Sequence, residues 1–163
     1  MTDAEGGVSS NTYDADGRLI QTTNAEGAVT KYVYDDCDRV VEMIDALGNS
    51  TKYTYDAMDR VLTVTDPRGG VTTYTYDKLG RVLTITDAKG GVTSSEYDAN
   101  GNLVKATDAE GHVITYTYDA LNRLSSYVDT EGYTHSYTYD GNGNTRSPRQ
   151  MAGATRLLIP MTA

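Results

Sequence analysis

Twelve aspartates recur in this 163-residue chain at fixed intervals, and regularly spaced carboxylates raise the possibility of bound calcium. Seven follow a tyrosine, in the pairs Tyr13-Asp14, Tyr34-Asp35, Tyr55-Asp56, Tyr76-Asp77, Tyr97-Asp98, Tyr118-Asp119 and Tyr139-Asp140. Five more, Asp45, Asp66, Asp87, Asp108 and Asp129, each open an Asp-x-x-Gly. Calcium takes about six to eight oxygens converging on one point. Aspartates on successive hairpins would instead stand about 10 Å apart, two strand spacings, with their oxygens already used inside turns. The nonapeptide spacing of calcium β-rolls is also absent, so no metal is expected.

The other chemistry-bearing residues point the same way. His112 and His135 fall at non-equivalent places in the pattern and have no cysteine nearby, which argues against zinc. Cys37 is the only cysteine, so no internal disulfide can form, and other units carry Leu79, Asn100 or Leu121 where it stands. It reads as a bystander thiol. No glycine-rich phosphate loop opens a helix, and no nucleophile sits in an elbow or triad setting. Neither catalytic residues nor a cofactor are expected.

What positions these aspartates is a repeat. The Tyr-Asp pairs step by 21 residues without insertion, and a short period of this kind marks an array whose units bury surface on their neighbours. Three residues after each pair's aspartate stands Gly17, Asp38, Asp59, Gly80, Gly101, Asn122 or Gly143. Only residues tolerant of left-handed backbone occupy that place, which predicts a hairpin turn. A short β-rich run follows, such as Arg60-Val61-Leu62-Thr63-Val64-Thr65, and then a second turn closing on Gly27, Gly48, Gly69, Gly90, Gly111 or Gly132. The next run, Val71-Thr72-Thr73-Tyr74-Thr75-Tyr76 in one unit, places Tyr74 and Tyr76 on one face.

The predicted fold class is therefore all-β: one hairpin per 21 residues, joined into one continuous antiparallel sheet of about thirteen or fourteen strands. Stacked strands would make it roughly 60–70 Å wide. Sheets beyond about 10 strands usually twist, curl or split, so a curled or spiralling form is expected. Tyrosine rings are expected to pack along one face with Val and Leu, Tyr74 and Tyr116 among them, and to supply much of the burial. Arg39, Arg60, Arg81 and Arg123 are expected to pair with the acids as exposed ladders, each worth little.

Composition agrees. There is no Trp or Phe, and fourteen Tyr carry the aromatic content among Val, Leu, Ile and Thr. A formal net charge of −9 argues against nucleic acid and against anionic membrane surfaces. No stretch approaches the roughly 20 apolar residues of a membrane span, and the N-terminus shows no secretion signal.

The array is assigned to residues 1–144 and a non-repeat tail to 145–163. Asp3 to Val8 matches Asp66 to Val71, so the chain starts in the middle of a repeat and reads as cut from something longer. The tail holds neither an Asp-x-x-Gly turn nor a Tyr-Asp pair. Read two nucleotides later, suitable codons for Gln150-Met151-Ala152 give an Asp-Gly and those for Pro160-Met161-Thr162 a Tyr-Asp. A frameshift in the gene accounts for both, and the tail is expected to be disordered.

The unit Tyr-Asp-x-x-Gly-Arg-Leu/Val, as in Tyr13 to Leu19 and Tyr76 to Val82, resembles the YD repeat of Rhs (rearrangement hotspot) proteins across Asp3 to Asn144. Departures are Asp38, Asp59 and Asn122 for the turn glycine, Ser95 for the first tyrosine of its unit, and Asn102 and Asn144 for the arginine. The resemblance implies hairpins in a long sheet that spirals into a hollow shell. In Rhs polymorphic toxins and insecticidal toxin complexes that shell encloses a C-terminal toxin, and in teneurins a related shell takes part in adhesion. It thus implies a secreted or extracellular, non-catalytic structural protein. Its partners would be the remainder of the shell and a cargo. Asp66-Pro67-Arg68-Gly69-Gly70 has the look of the family's cleavage-region motif but sits in register with ordinary turns.

Two other readings stand beside this one. Open edge strands invite pairing with a second copy, head to tail, into a filament or ring. Tyrosine-rich grooves also bind carbohydrate, which makes an adhesion module the second alternative.

Overall fold

The computed structural model describes residues 8–150, with side chains as far as Arg146. The expectation that the chain starts in the middle of a repeat rests on Asp3 to Val8, all but one of which lie outside the described residues. The chain divides into two compact units, Met1–Gly90 and Gly91–Ala163. The architecture is all-β, and within each unit the strands are ordered in space as in sequence.

In the first unit the strands are β1 (Ser10–Tyr13), β2 (Leu19–Thr23), β3 (Val29–Tyr34), β4 (Val40–Ile44), β5 (Ser50–Tyr55), β6 (Val61–Thr65), β7 (Val71–Tyr76) and β8 (Val82–Thr86). Each pairs antiparallel with the next. The second unit holds β9 (Val92–Tyr97), β10 (Leu103–Thr107), β11 (Val113–Tyr118), β12 (Leu124–Val128), β13 (Thr134–Tyr139) and β14 (Thr145–Gln150), paired in the same way.

Both kinds of turn are built alike. In all thirteen, the fourth residue donates its N–H to the carbonyl of the opening Asp or Asn, at 2.9–3.2 Å. That fourth residue is left-handed, with φ between 58° and 92°. This is a three-residue hairpin loop, a type I turn closed by a left-handed bulge residue. Gly69, at φ 86°, shows why glycine dominates there, because a Cβ would meet nothing within 4 Å and the only obstacle is the backbone itself. Asp38, Asp59 and Asn122 accept the same conformation at φ 62°, 61° and 58°.

Register fixes the two faces. Tyr53 stands opposite Val64, which stands opposite Thr72, and Tyr74 stands opposite Ile85. Because side chains alternate, the other face carries Thr54, Thr63, Thr73, Thr75 and Thr84. There the Thr54 and Thr63 hydroxyls bond at 2.7 Å, and those of Thr75 and Thr84 at 2.6 Å. Each hairpin made by a Tyr-Asp turn also contains a register shift, next to its tyrosine in all but β13–β14, as between Thr54 and Tyr55, and between Ser136 and Thr138 in β13.

Two expectations are corrected here. No described residue is fully buried, so Tyr74 and Tyr116 are half-buried, Tyr13 and Tyr133 are exposed, and the described residues form no closed core. The described strands cover one another edge to edge, which leaves stability to contacts between neighbouring repeats. The tail expected to be disordered from residue 145 instead opens with β14, paired to β13. The turn at Asp140 to Gly143 is intact and Tyr139 stands opposite Thr145, so the backbone ladder continues although the side-chain pattern has stopped. Residues 151–163 lie outside the described residues, and with them the proposed frameshift positions except Gln150.

Candidate functional site

The aspartate of each Tyr-Asp pair organises its own turn. Asp56 Oδ1 accepts the backbone N–H groups of Met58 and Arg60, at 2.8 and 3.1 Å. Its Oδ2 takes Arg60 Nε at 2.6 Å and Nη2 at 2.5 Å. The same arrangement ties Arg18 to Asp14, Arg39 to Asp35, Arg81 to Asp77 and Arg123 to Asp119. Where asparagine replaces arginine, Asn102 Nδ2 reaches Asp98 Oδ2 at 2.9 Å and Asn144 Nδ2 reaches Asp140 Oδ2 at 3.2 Å.

These bonds lower the carboxyl pKa values. The side-chain bond from Arg60 holds Asp56 below the usual carboxylate range, as those from Arg18, Arg39, Asn102 and Arg123 do for Asp14, Asp35, Asp98 and Asp119. The aspartates are therefore turn-formers with occupied oxygens.

The arginines also reach across to the next repeat. Arg60 Nη1 donates to the Asp77 carbonyl at 2.9 Å, and its guanidinium lies 4.7 Å from the centre of the Tyr76 ring. Arg39 donates to the Asp56 carbonyl at 3.2 Å and lies over Tyr55 at 4.9 Å. Arg18 covers Tyr34 at 5.3 Å, and Arg123 covers Tyr139 at 4.2 Å. The expected exposed ladders are thus corrected: the Arg39 and Arg60 side chains are only 24% exposed and act as bridges between repeats.

The tyrosine completes the bridge. Tyr34, Tyr55, Tyr76, Tyr118 and Tyr139 donate their hydroxyls to the carbonyls of Leu19, Val40, Val61, Leu103 and Leu124 of the preceding repeat, at 2.6–2.9 Å. A hydrogen bond contributes about 1 kcal/mol net and a cation–π contact at a partly exposed site about 0.5–1 kcal/mol. Sequence reading identified the residues but missed the clamp. Its signal was the constant spacing of 16 from Arg18 to Tyr34, Arg39 to Tyr55, Arg60 to Tyr76 and Arg123 to Tyr139.

Where the turn lacks glycine, the left-handed residue joins in. Asp38 accepts from Arg18 at 2.7 Å, Asp59 from Arg39 at 2.8 Å, and Asn122 from Asn102 at 3.0 Å. The bond offsets part of the cost of a non-glycine residue at positive φ.

Both histidines bind a turn aspartate. His112 Nδ1 lies 2.8 Å from Asp108 Oδ2, and His135 Nε2 lies 2.8 Å from Asp129 Oδ2. The first bond lowers the Asp108 pKa and raises that of His112. Asp108, Glu110 and His112 hold the one set of three donor atoms among the described residues that lie within 4.8 Å of one another. Asp108 is already engaged by His112 and, through Oδ1, by the N–H groups of Glu110 and His112. His135 also stacks on Tyr127, ring centres 4.4 Å apart, with Tyr116 and Tyr137 at 6.3 and 6.2 Å from Tyr127. Cys37 is exposed at a turn tip. Among the described residues no helix is long and apolar enough to cross a membrane.

Comparison with known proteins places this geometry. The family model described as Teneurin YD-shell matches residues 5–154. Among curated proteins no match was found. Solved structures do match. The crystal structure of TcdB2-TccC3-Cdc42 shares 22% identity over 86% of this chain and 9% of its own, with a TM-score of 0.74. The Photorhabdus luminescens Tc holotoxin pore shares 21% over 90% of this chain and 9% of its own, with a TM-score of 0.75. TcdB2-TccC3 without its hypervariable C-terminal region shares 21% over 88% and 9%, with a TM-score of 0.74. At these identities the likeness is one of fold, and this chain spans about a tenth of those chains' length, 9% in each case.

Proposed function

The chain belongs to the teneurin YD-shell family, and from that premise we propose that it is a non-catalytic segment of shell wall that encloses a toxin or other cargo polypeptide. The observation that carries this reading is the clamp: turn Asp, bridging Arg and the next repeat's Tyr form a joint that repeats every 21 residues. Such a joint extends a wall by one hairpin at a time and forms no cleft for catalysis. The likeness to Tc toxin structures supports the cargo reading, and with it an extracellular setting.

The two faces give the wall a direction. One carries half-buried tyrosines with Val and Ile, the other threonines and charged residues such as Lys105 bonded to Glu96 at 2.7 Å. Broad apolar surface left in water invites association, so the tyrosine face is assigned to the inside.

Protease protection tests the proposal. In the natural gene product that contains these repeats, the enclosed polypeptide should resist trypsin while the wall is intact and be digested once residues 13–139 are deleted. Equal digestion in both proteins would reject encapsulation.

A further inference from the structure

Two rows of the tyrosine face lack the ring: Asn11–Thr22–Thr30 in the first unit keeps polar residues throughout, whereas in a second row the partner positions are apolar. In the first unit the cross-strand rows read Tyr32–Met43–Thr51 and Tyr53–Val64–Thr72, and in the second unit one row reads Tyr116–Tyr127–His135. The row through β9, β10 and β11 reads Ser95–Ala106–Ile114. The ring is missing at Ser95, its partner has shrunk to Ala106, and the third position has become apolar. Loss of ring and partner together leaves a groove of about 230 Å³ whose lining includes Ser95, Ala106 and Ile114, with Asp108, His112 and Thr130. An apolar cavity of about 150 Å³ suffices to bind benzene, so the space suits one aromatic ring and little more.

We propose that this notch seats a single aromatic side chain, of tyrosine or phenylalanine type, from a polypeptide held against the tyrosine face. The repeat itself defines the occupant, because a phenol ring stands at the equivalent place in Tyr32, Tyr53, Tyr74, Tyr116 and Tyr137. A visiting ring lies on Ala106 and Ile114. A phenol hydroxyl donates to the Asp108 carboxylate, whose Oδ2 keeps a lone pair beyond its bond to His112. The acidic pair Asp108 and Glu110 favours a ring flanked by Lys or Arg in the visiting chain. That the visitor is an enclosed cargo rests on the shell-wall reading, whereas the ring-sized notch does not.

Titration of the full ¹⁵N-labelled chain with p-cresol, followed by NMR, tests the notch separately from the cargo. Saturable shifts are expected at Ser95, Ala106, His112 and Ile114 and are lost in Ser95→Tyr, which restores the missing ring. Ala106→Ile, which narrows the groove with the residue found at Ile85, gives the same loss should Ser95→Tyr not fold. Absence of saturation, equal shifts in both variants, or a response to methyl glucoside in place of p-cresol would overturn the proposal. Protease sensitivity of the cargo with an intact p-cresol response would instead reject encapsulation alone.

Discussion

Tyr76 donates its hydroxyl to the Val61 carbonyl at 2.7 Å, joining one repeat to the backbone of the one before it. The bond spans 15 residues of sequence but only one strand boundary, so removing it loosens a junction and leaves both hairpins intact. Tyr76→Phe is expected to cost about 1 kcal/mol, one hydrogen bond's net worth. Tyr76→Ala is expected to cost about 2–3 kcal/mol, less than a fully buried aromatic truncation, because the ring is half-buried. Urea unfolding measures both, and equal midpoints for wild type and Tyr76→Ala would show that the clamp contributes nothing.

Arg60 separates shape from charge. Lysine keeps the charge but cannot reach Asp56 through two nitrogens while also meeting the Asp77 carbonyl. Asparagine loses the charge, yet Asn102 makes the turn bond to Asp98 in its own repeat. Arg60→Lys is therefore expected to destabilise by about 1–2 kcal/mol and Arg60→Asn by no more than that. A lysine variant as stable as wild type would show that charge alone matters.

At the left-handed positions, clash and conformation can be told apart. A Cβ on Gly69 meets no atom within 4 Å, so Gly69→Ala is expected to cost only the backbone term, about 1 kcal/mol. Asp59→Gly relieves its positive φ but loses the 2.8 Å bond from Arg39, and is expected to lie within about 0.5 kcal/mol of wild type. Thermal unfolding of the two variants checks the pair, and a larger loss in Asp59→Gly than in Gly69→Ala would reverse the assignment.

The turn carboxylates set an acid limit. Asp14, Asp35, Asp56 and Asp119 have folded pKa values held below their unfolded ones, chiefly by the arginine side-chain bonds. Groups depressed in this way contribute stability that is present above the unfolded pKa and lost as pH falls through the folded one. The melting temperature is expected to be flat from neutral pH down to about pH 5 and to fall steeply below about pH 4. His112 carries the opposite sign: its raised pKa contributes below the unfolded value and fades as pH rises through the folded one. Circular dichroism melts across pH 2.5 to 8 would contradict this if the acid limb were flat.

The repeat was legible in the sequence because its determinants are local. A turn needs a left-handed residue and an aspartate that can cap it within four residues, so Gly69, Asp59 and Asp56 announce themselves by type and spacing, and strand alternation then assigns Tyr74 and Tyr76 to one face. Tertiary structure decided what each residue touches across the repeat boundary. Arg60 reads as a surface charge until the sheet brings Tyr76 beneath it, and the notch at Ser95 exists only because β10 sets Ala106 and β11 sets Ile114 beside it. The Thr145–Gln150 strand shows the same division from the other side. Its side chains broke the pattern, yet backbone hydrogen bonding to β13 depends on the preceding turn and not on side-chain type, so the ladder ran on.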